Sequence, residues 1–439
     1  MGMAARRDRL IANIASMGAL QLGQLLLPLI TLPHLTRTLG VSGFGEMVFA
    51  QLCAQFLVVL TSYSFSWTGT QAAARAQTDP HQLSRVLMTT LVAQVGLMAA
   101  GSVVYALVVW CVPSMQEHAW TYAASLLIVI ANVGFPLWFF QGIERVKQVV
   151  WLQLACRAIG IWPVLWFIDD QGDAALATAL VAAPSVVAAM LALGLLWREG
   201  FVRNVNRPLD GAARVLSSGR RVFFSRVWIA LYTTAQPGIL GAIAGTAQLA
   251  QFALADKLRQ AAQSGVTPVS QALYARVNSF SPEETSKRDS LLVRGGAVTV
   301  LLAAAAAMAL SVLSSSLTSY FGGESFREAA TVLRILAPLP VIVGLSNLFG
   351  VQILLTHGLD REFSRVVGGG AIVSLLVLVP AAKFAGATGA ALSIVATESL
   401  VTAMMLAVVW RKGLLPIAAI GQLFSFAARR RPESRRGEP

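Results

Sequence analysis

Residues Gln248–Tyr274 read QLAQFALADKLRQAAQSGVTPVSQALY, long enough for a bilayer-crossing helix, yet Asp256, Lys257 and Arg259 stand near the middle. An ionised side chain at the centre of a spanning helix costs about 2.5–3.5 kcal/mol on insertion scales, so three facing lipid would cost roughly 7–10 kcal/mol. They must face protein or water. Helical geometry puts Asp256 and Arg259 about 60° apart, able to pair at i,i+3, and turns Lys257 about 100° away, toward its own partner or solvent. The stretch reads as a helix lining an aqueous, net-positive cavity, with the rest of the chain as scaffold; a structural ion pair is the competing reading.

Composition supports a membrane setting. The 439 residues are 56% hydrophobic and only 13% charged, with a mean hydropathy of +0.66, whereas soluble domains carry about 25% charge. Cys53, Cys111 and Cys156 sit in or beside apolar runs, without the spacing of a disulfide framework or metal site. They read as small buried hydrophobes, and no cofactor or metal is expected. Arg6, Arg7 and Arg9 precede a long apolar run with no small-residue cleavage site after it, which reads as a retained first span.

Apolar segments occupy 11–36, 44–67, 86–112, 119–141, 149–168, 174–197, 222–244, 246–274, 293–316, 331–356, 366–385 and 388–410. The fold class expected is all-α: a polytopic membrane protein of about twelve helices in two parallel six-helix halves around a central cavity. The halves are residues 1–200 and 222–412, joined by a cytoplasmic linker at 201–221. Residues 413–439, a weak apolar stretch broken by Pro416 and then a basic tail, read as an interfacial segment.

Of the 34 Lys and Arg, 26 lie in the N-terminus, the even-numbered loops and the C-terminal tail, while the odd-numbered loops hold only Arg37, Arg327 and Lys383. The positive-inside rule then puts both termini in the cytoplasm and accounts for most of the +13 formal charge without nucleic acid. A faint repeat supports two halves: QGIERVK at 141–147 is similar to HGLDREF at 357–363, and Pro28 has a counterpart in Pro237.

No GxSxG, Walker loop or HExxH is present, and His34, His81, His118 and His357 are scattered, so neither enzyme chemistry nor self-driven ATP transport is expected. The intramembrane charges are the candidates. Arg157, Lys257, Arg259 and Arg226 are the candidate cavity cations for an anionic substrate, and Asp256 and Glu398 are candidates for ion coupling or pairing. Arg226 and Arg334 have a second reading, snorkelling to headgroups from near a helix end. Trp138, Phe139 and Phe140 read either as an interface belt or as part of a motif.

The string Pro136-Leu-Trp138-Phe-Phe140-Gln141-Gly142-Ile-Glu144 resembles the P-W-F-F-Q-G-x-E signature of the polysaccharide transporter (Wzx-type flippase) family, within the multidrug/oligosaccharidyl-lipid/polysaccharide exporter superfamily. Leu32-Pro33 through Leu39-Gly40 to Gly43-Phe44-Gly45, Phe252 to Lys257, and Pro268 to Tyr274 with Arg276 also resemble family stretches, with Ala275 where the family often has proline. The resemblance implies a flippase in the bacterial inner membrane that moves an oligosaccharide on an undecaprenyl diphosphate carrier from the cytoplasmic to the periplasmic leaflet. It further implies contact with membrane lipids and with polysaccharide polymerase and assembly proteins.

Physical chemistry agrees with that reading. A sugar diphosphate cannot cross about 30 Å of hydrocarbon with its polar groups unpartnered, and arginine grips phosphate oxygens in bidentate fashion. Three rivals stay open: a drug exporter of the same superfamily, expected to line its cavity with carboxylates; a lipid II flippase, commonly with fourteen helices; and a non-transporting scaffold.

Overall fold

The computed structural model describes residues 3–202, 208–233, 235–267, 270, 273, 276–277 and 285–415. These residues are helical, with no strand among them. The chain gathers into two compact units, Met1–Lys257 with Leu317–Ala329, and Leu258–Ser316 with Ala330–Pro439.

The first unit opens with α1 (Met3–Ser62), followed by α2 (Phe65–Arg75). Hydrophobicity and length make Gly23–Arg75 a single apolar candidate span of 53 residues. At 1.5 Å per residue that is about 80 Å, well over twice the hydrocarbon thickness, so the rod must turn inside it. It turns at Gly40, whose φ of 64° and ψ of −170° are open to glycine and strained for other residues. The neighbouring glycines answer a second need: a Cβ on Gly43 would lie 2.9 Å from the Gln171 carbonyl oxygen, and one on Gly45 only 2.2 Å from that of Thr246. Phe44 between them is fully buried and meets Phe326 edge-on. The glycine-rich stretch after the first helix is thus a packing device.

Next come α3 (Pro80–Cys111), α4 (Pro113–Gln116), α5 (Ala119–Gly134), α6 (Leu137–Gly142), α7 (Val146–Ile159), α8 (Ile161–Phe167) and α9 (Ala174–Arg198). Asp79 caps α3, accepting hydrogen bonds from the backbone N–H of His81 and Gln82, with Pro80 at the first helical position. The Gln82 and His81 amides hold its carboxyl below the usual range. Small residues let α5, α7 and α9 approach closely: a Cβ on Gly134 would meet Ala189 at 3.1 Å and one on Gly160 would overlap Pro184.

Then follow α10 (Pro208–Thr233), α11 (Ala235–Ala244), α12 (Thr246–Ser264) and α13 (Thr285–Gly322). The second unit takes the end of α12 and most of α13 (Leu258–Ser316) and, from Ala330 on, α14 (Arg327–Leu336), α15 (Leu339–Asn347), a π-helical stretch Leu348–Leu354, and α16 (Asp360–Arg411). In α16 the helix breaks at Ala385–Gly386, where Gly386 has φ 53°. Ile353, Leu354, Val401, Met405 and Val409 form its buried core cluster.

Eight helical rods among the described residues are long and apolar enough to cross a membrane, and two of them, Gly23–Arg75 and Asp360–Arg411, have room for two crossings each. Tryptophans mark the ends of the rods. Trp110, Trp120, Trp162 and Trp166 are exposed near the odd-numbered loops, and Trp67, Trp151, Trp197 and Trp410 near the even-numbered ones, the two-belt pattern of a multi-pass membrane protein. Among the tryptophans whose side chains are described Trp138 is the exception, only 6% exposed, which removes it from any interface belt. Pro268, Tyr274 and the segment from 416 onward lie outside the described residues.

Two helix ends near the similar stretches share one geometry. Glu144 (φ 60°) and Gly358 (φ 70°) each end a helix in the left-handed conformation, with Arg145 N–H donating to Phe140 O and Leu359 N–H to Leu354 O. The matching pair is therefore Glu144 with Gly358, not Gly142 with Gly358, because the left-handed cap rather than the glycine itself sets the helix end. Gly200 and Gly413 close later helices with the same bond pattern.

Candidate functional site

Within the first unit, α1, α5, α7, α8, α9 and α12 enclose a cavity of about 670 Å3. Two cations line it: Arg157 from α7 and Lys257 from α12. Arg157 is the twelfth residue of the 22-residue apolar rod Val146–Phe167, so about 15 Å of helix separates it from the nearer end. Its Nε is buried without a hydrogen-bond partner, and none of the ion pairs among the described residues includes it. Lys257 is half-buried and has the Asp256 charge beside it.

Five carboxamides share the lining: Gln24, Gln51, Gln55, Asn132 and Gln153. Gln153 is only 8% exposed, and its Oε1 has no hydrogen-bond partner. Asn132 Oδ1 accepts from Ser62 Oγ at 3.0 Å. Pro28 and Pro184 also face the cavity, and Thr31 beside Pro28 returns its hydroxyl to the Pro28 carbonyl. No carboxylate lies among the described lining residues. The wall offers two positive charges and a set of groups that donate and accept at once, which suits an anion carrying many hydroxyls.

The structure brings Arg157 and Lys257 together and leaves the other expected residues elsewhere. Arg259 belongs to the second unit, where its Nη1 donates to Gln263 Oε1 at 2.6 Å. Asp256 sits on α12 and is half-buried. Glu398 is half-buried on α16, and its carbonyl accepts from Thr402 Oγ1 at 2.8 Å. Arg226 lies on α10, its side chain outside the described set. Arg334 donates from Nε to Ser314 Oγ and from Nη2 to Ser315 Oγ, 2.7 and 2.6 Å, so it fastens α14 to α13 instead of reaching for headgroups.

The Pro136–Glu144 motif forms a buried elbow. Pro136 leaves helical geometry (ψ 65°), and α6 then lies on α2 with Trp138, Phe139 and Phe140 all inside. Thr70 Oγ1 donates to the Trp138 carbonyl and Gln77 Nε2 to the Gly142 carbonyl. A Cβ on Gly69 would come within 2.7 Å of the Trp138 ring and one on Gly142 within 2.5 Å of Ala73. Leu137 of the motif and Phe135 just before it line the cavity, so the motif contributes to the wall and supports it from behind.

Sequence reasoning missed the carboxamides. An uncharged Gln or Asn within a spanning segment also carries unmet hydrogen-bonding groups and marks an interior face, and that signal was open to reading.

The family profile described as "Polysaccharide biosynthesis protein" matches residues 10–276. A protein of Escherichia coli (strain K12) named "Putative O-antigen transporter" is 31% identical over 406 residues, covering 92% of this chain and 97% of that one. The chain belongs to the polysaccharide biosynthesis protein family. Its relatives are named as transporters, which places the family among membrane transporters and not enzymes. Two solved structures share the fold. The lipid II flippase MurJ, inward closed, has a TM-score of 0.68 at 11% identity, over 97% of this chain and 94% of that one. An inward-facing multidrug resistance MATE family transporter of the MOP superfamily has a TM-score of 0.63 at 14% identity, over 91% of this chain and 98% of that one.

Proposed function

We propose that this protein is a flippase that carries an oligosaccharide, linked to an undecaprenyl diphosphate, from the cytoplasmic to the periplasmic leaflet of the bacterial inner membrane. The product feeds assembly of a surface polysaccharide such as O-antigen, exopolysaccharide or capsule. One observation carries the reading: among the described residues, the cavity of the first unit is lined by Arg157, Lys257 and five carboxamides and by no carboxylate. A diphosphate calls for cations, and sugar hydroxyls for groups that both donate and accept. A cavity built for cationic drugs would carry the opposite charge. The name of the relative that the chain covers almost end to end agrees.

In this reading the protein works by alternating access, with both termini cytoplasmic and twelve crossings in two halves, 1–200 and 222–412. The two helix caps at Glu144 and Gly200 recur at Gly358 and Gly413 with spacings of 56 and 55 residues, which supports such a repeat. Arg259 and Arg226 add positive charge to the substrate path, and Asp256 and Glu398 serve as coupling or pairing carboxylates.

The test is complementation in a strain lacking its own flippase. Expression of this chain should restore surface polysaccharide and clear lipid-linked oligosaccharide from the cytoplasmic leaflet. Unrestored display together with raised resistance to cationic drugs would replace the reading with drug export.

A further inference from the structure

The second unit holds a pocket of its own, about 310 Å3, lined by Gln263, Thr267, Ser270, Thr299, Asn347 and Gln352 among others. Among the described residues, none that lines it is charged. We propose that it is a sugar subsite, taking one uncharged pyranose ring of the glycan, separate from the cation-lined cavity; this rests on the reading that the cargo is a glycan.

Two carboxamides at this pocket have one half already committed. Gln352 is only 2% exposed. Its Nε2 donates to Ser270, 3.2 Å to Oγ and 3.4 Å to the carbonyl, while its Oε1 is buried with no partner. Gln263 is committed the other way round, since its Oε1 accepts from Arg259 at 2.6 Å and its amide hydrogens are left to the pocket. An orphan acceptor and a spare donor set thus line one space. A buried carbonyl without a partner is costly to keep, and a sugar hydroxyl, which donates and accepts at once, satisfies both groups.

Backbone geometry gives an independent sign. The wall carrying Val351 and Gln352 is π-helical, Leu348–Leu354, seven residues long, where α-helices usually tolerate a single wide turn; such distortions concentrate at functional sites. The volume lies at the low end for small-molecule sites. It is far larger than a bare cation needs, and a neutral lining has no charge to hold one.

The experiment uses the full chain in nanodiscs and two probes: sugar-free undecaprenyl diphosphate, and undecaprenyl-diphosphate-linked oligosaccharide extracted from a flippase-deleted strain. Gln352→Leu should weaken binding of the glycosylated lipid about tenfold and leave the sugar-free lipid within twofold of wild type. Asn347→Leu should do the same, and covers the case in which Gln352→Leu misfolds, as judged by monodispersity on gel filtration. Arg157→Gln should instead weaken both probes. If Asn347→Leu and a monodisperse Gln352→Leu bind the glycosylated lipid like wild type, the subsite is wrong while the flippase reading stands. If wild type binds neither probe, the flippase reading falls and takes the subsite with it.

Discussion

Arg157→Gln should weaken substrate binding without weakening the fold, a combination that a structural ion pair cannot give. The guanidinium stands mid-rod, too far from either end for snorkelling to serve it, and its Nε has no partner. Removing an unpaired charge from a spanning helix returns up to about 2.5–3.5 kcal/mol of insertion cost, less whatever the wet cavity already offsets. The melting temperature of the purified variant should therefore hold or rise. A charge-assisted hydrogen bond to phosphate contributes about 1.5–3 kcal/mol, which at 1.4 kcal/mol per decade is about 10- to 150-fold in affinity for undecaprenyl diphosphate. Arg157→Lys should fall between, since it keeps the charge and loses the planar fork. The assay pairs a thermal-shift series with nanodisc binding of the sugar-free lipid. A melting temperature several degrees lower, or binding within twofold of wild type, would refute the reasoning.

Three further outcomes are expected. Gly142→Val should abolish membrane accumulation on blots, because its Cβ would already stand 2.5 Å from Ala73 and overpacking costs about 1–3 kcal/mol or more; normal levels would show that the elbow can shift. Gln171 replaced by cysteine should react with an impermeant maleimide from the periplasmic side of intact cells, and exclusively cytoplasmic labelling would overturn the orientation. Asp79→Ala should lower the melting temperature at neutral pH: a carboxyl held below its ordinary value stabilises the fold above about pH 4, and that stability is lost as pH falls through the folded value, so the variant and wild type should converge in acid. A difference that grew on acidification would argue against the cap.

Much of the fold was legible because its causes are local. Long apolar runs and glycines at helix breaks act through neighbours in the chain, so Gly40 and the apolar rods could be read in order. The cavity has no such signature. Gln24, Gln51 and Gln55 are spread along α1, Asn132 stands on α5 and Gln153 on α7, and only the packing of these three helices makes them one surface. The helix end after α6 was hidden for a related reason: glycine marks a left-handed cap only where the chain needs one, and there Glu144, not Gly142, takes that conformation.

The opening stretch shows how far adjacency can mislead. Lys257 and Arg259 are two residues apart, which on a helix is about 200° of rotation, so the two point in nearly opposite directions. Lys257 lines the cation-bearing cavity of the first unit, while Arg259 engages Gln263, part of the neutral pocket in the second. A helix charged on opposite faces has no side to give to lipid, which is why a chain with only 13% charged residues can hold three of them within four positions. The two residues then have different chemistry to do. Lys257 presents its charge to whatever enters the first cavity. Arg259 spends part of its hydrogen-bonding capacity on a carboxamide, which fixes that amide's orientation and, in the proposed subsite, turns its N–H groups to a sugar.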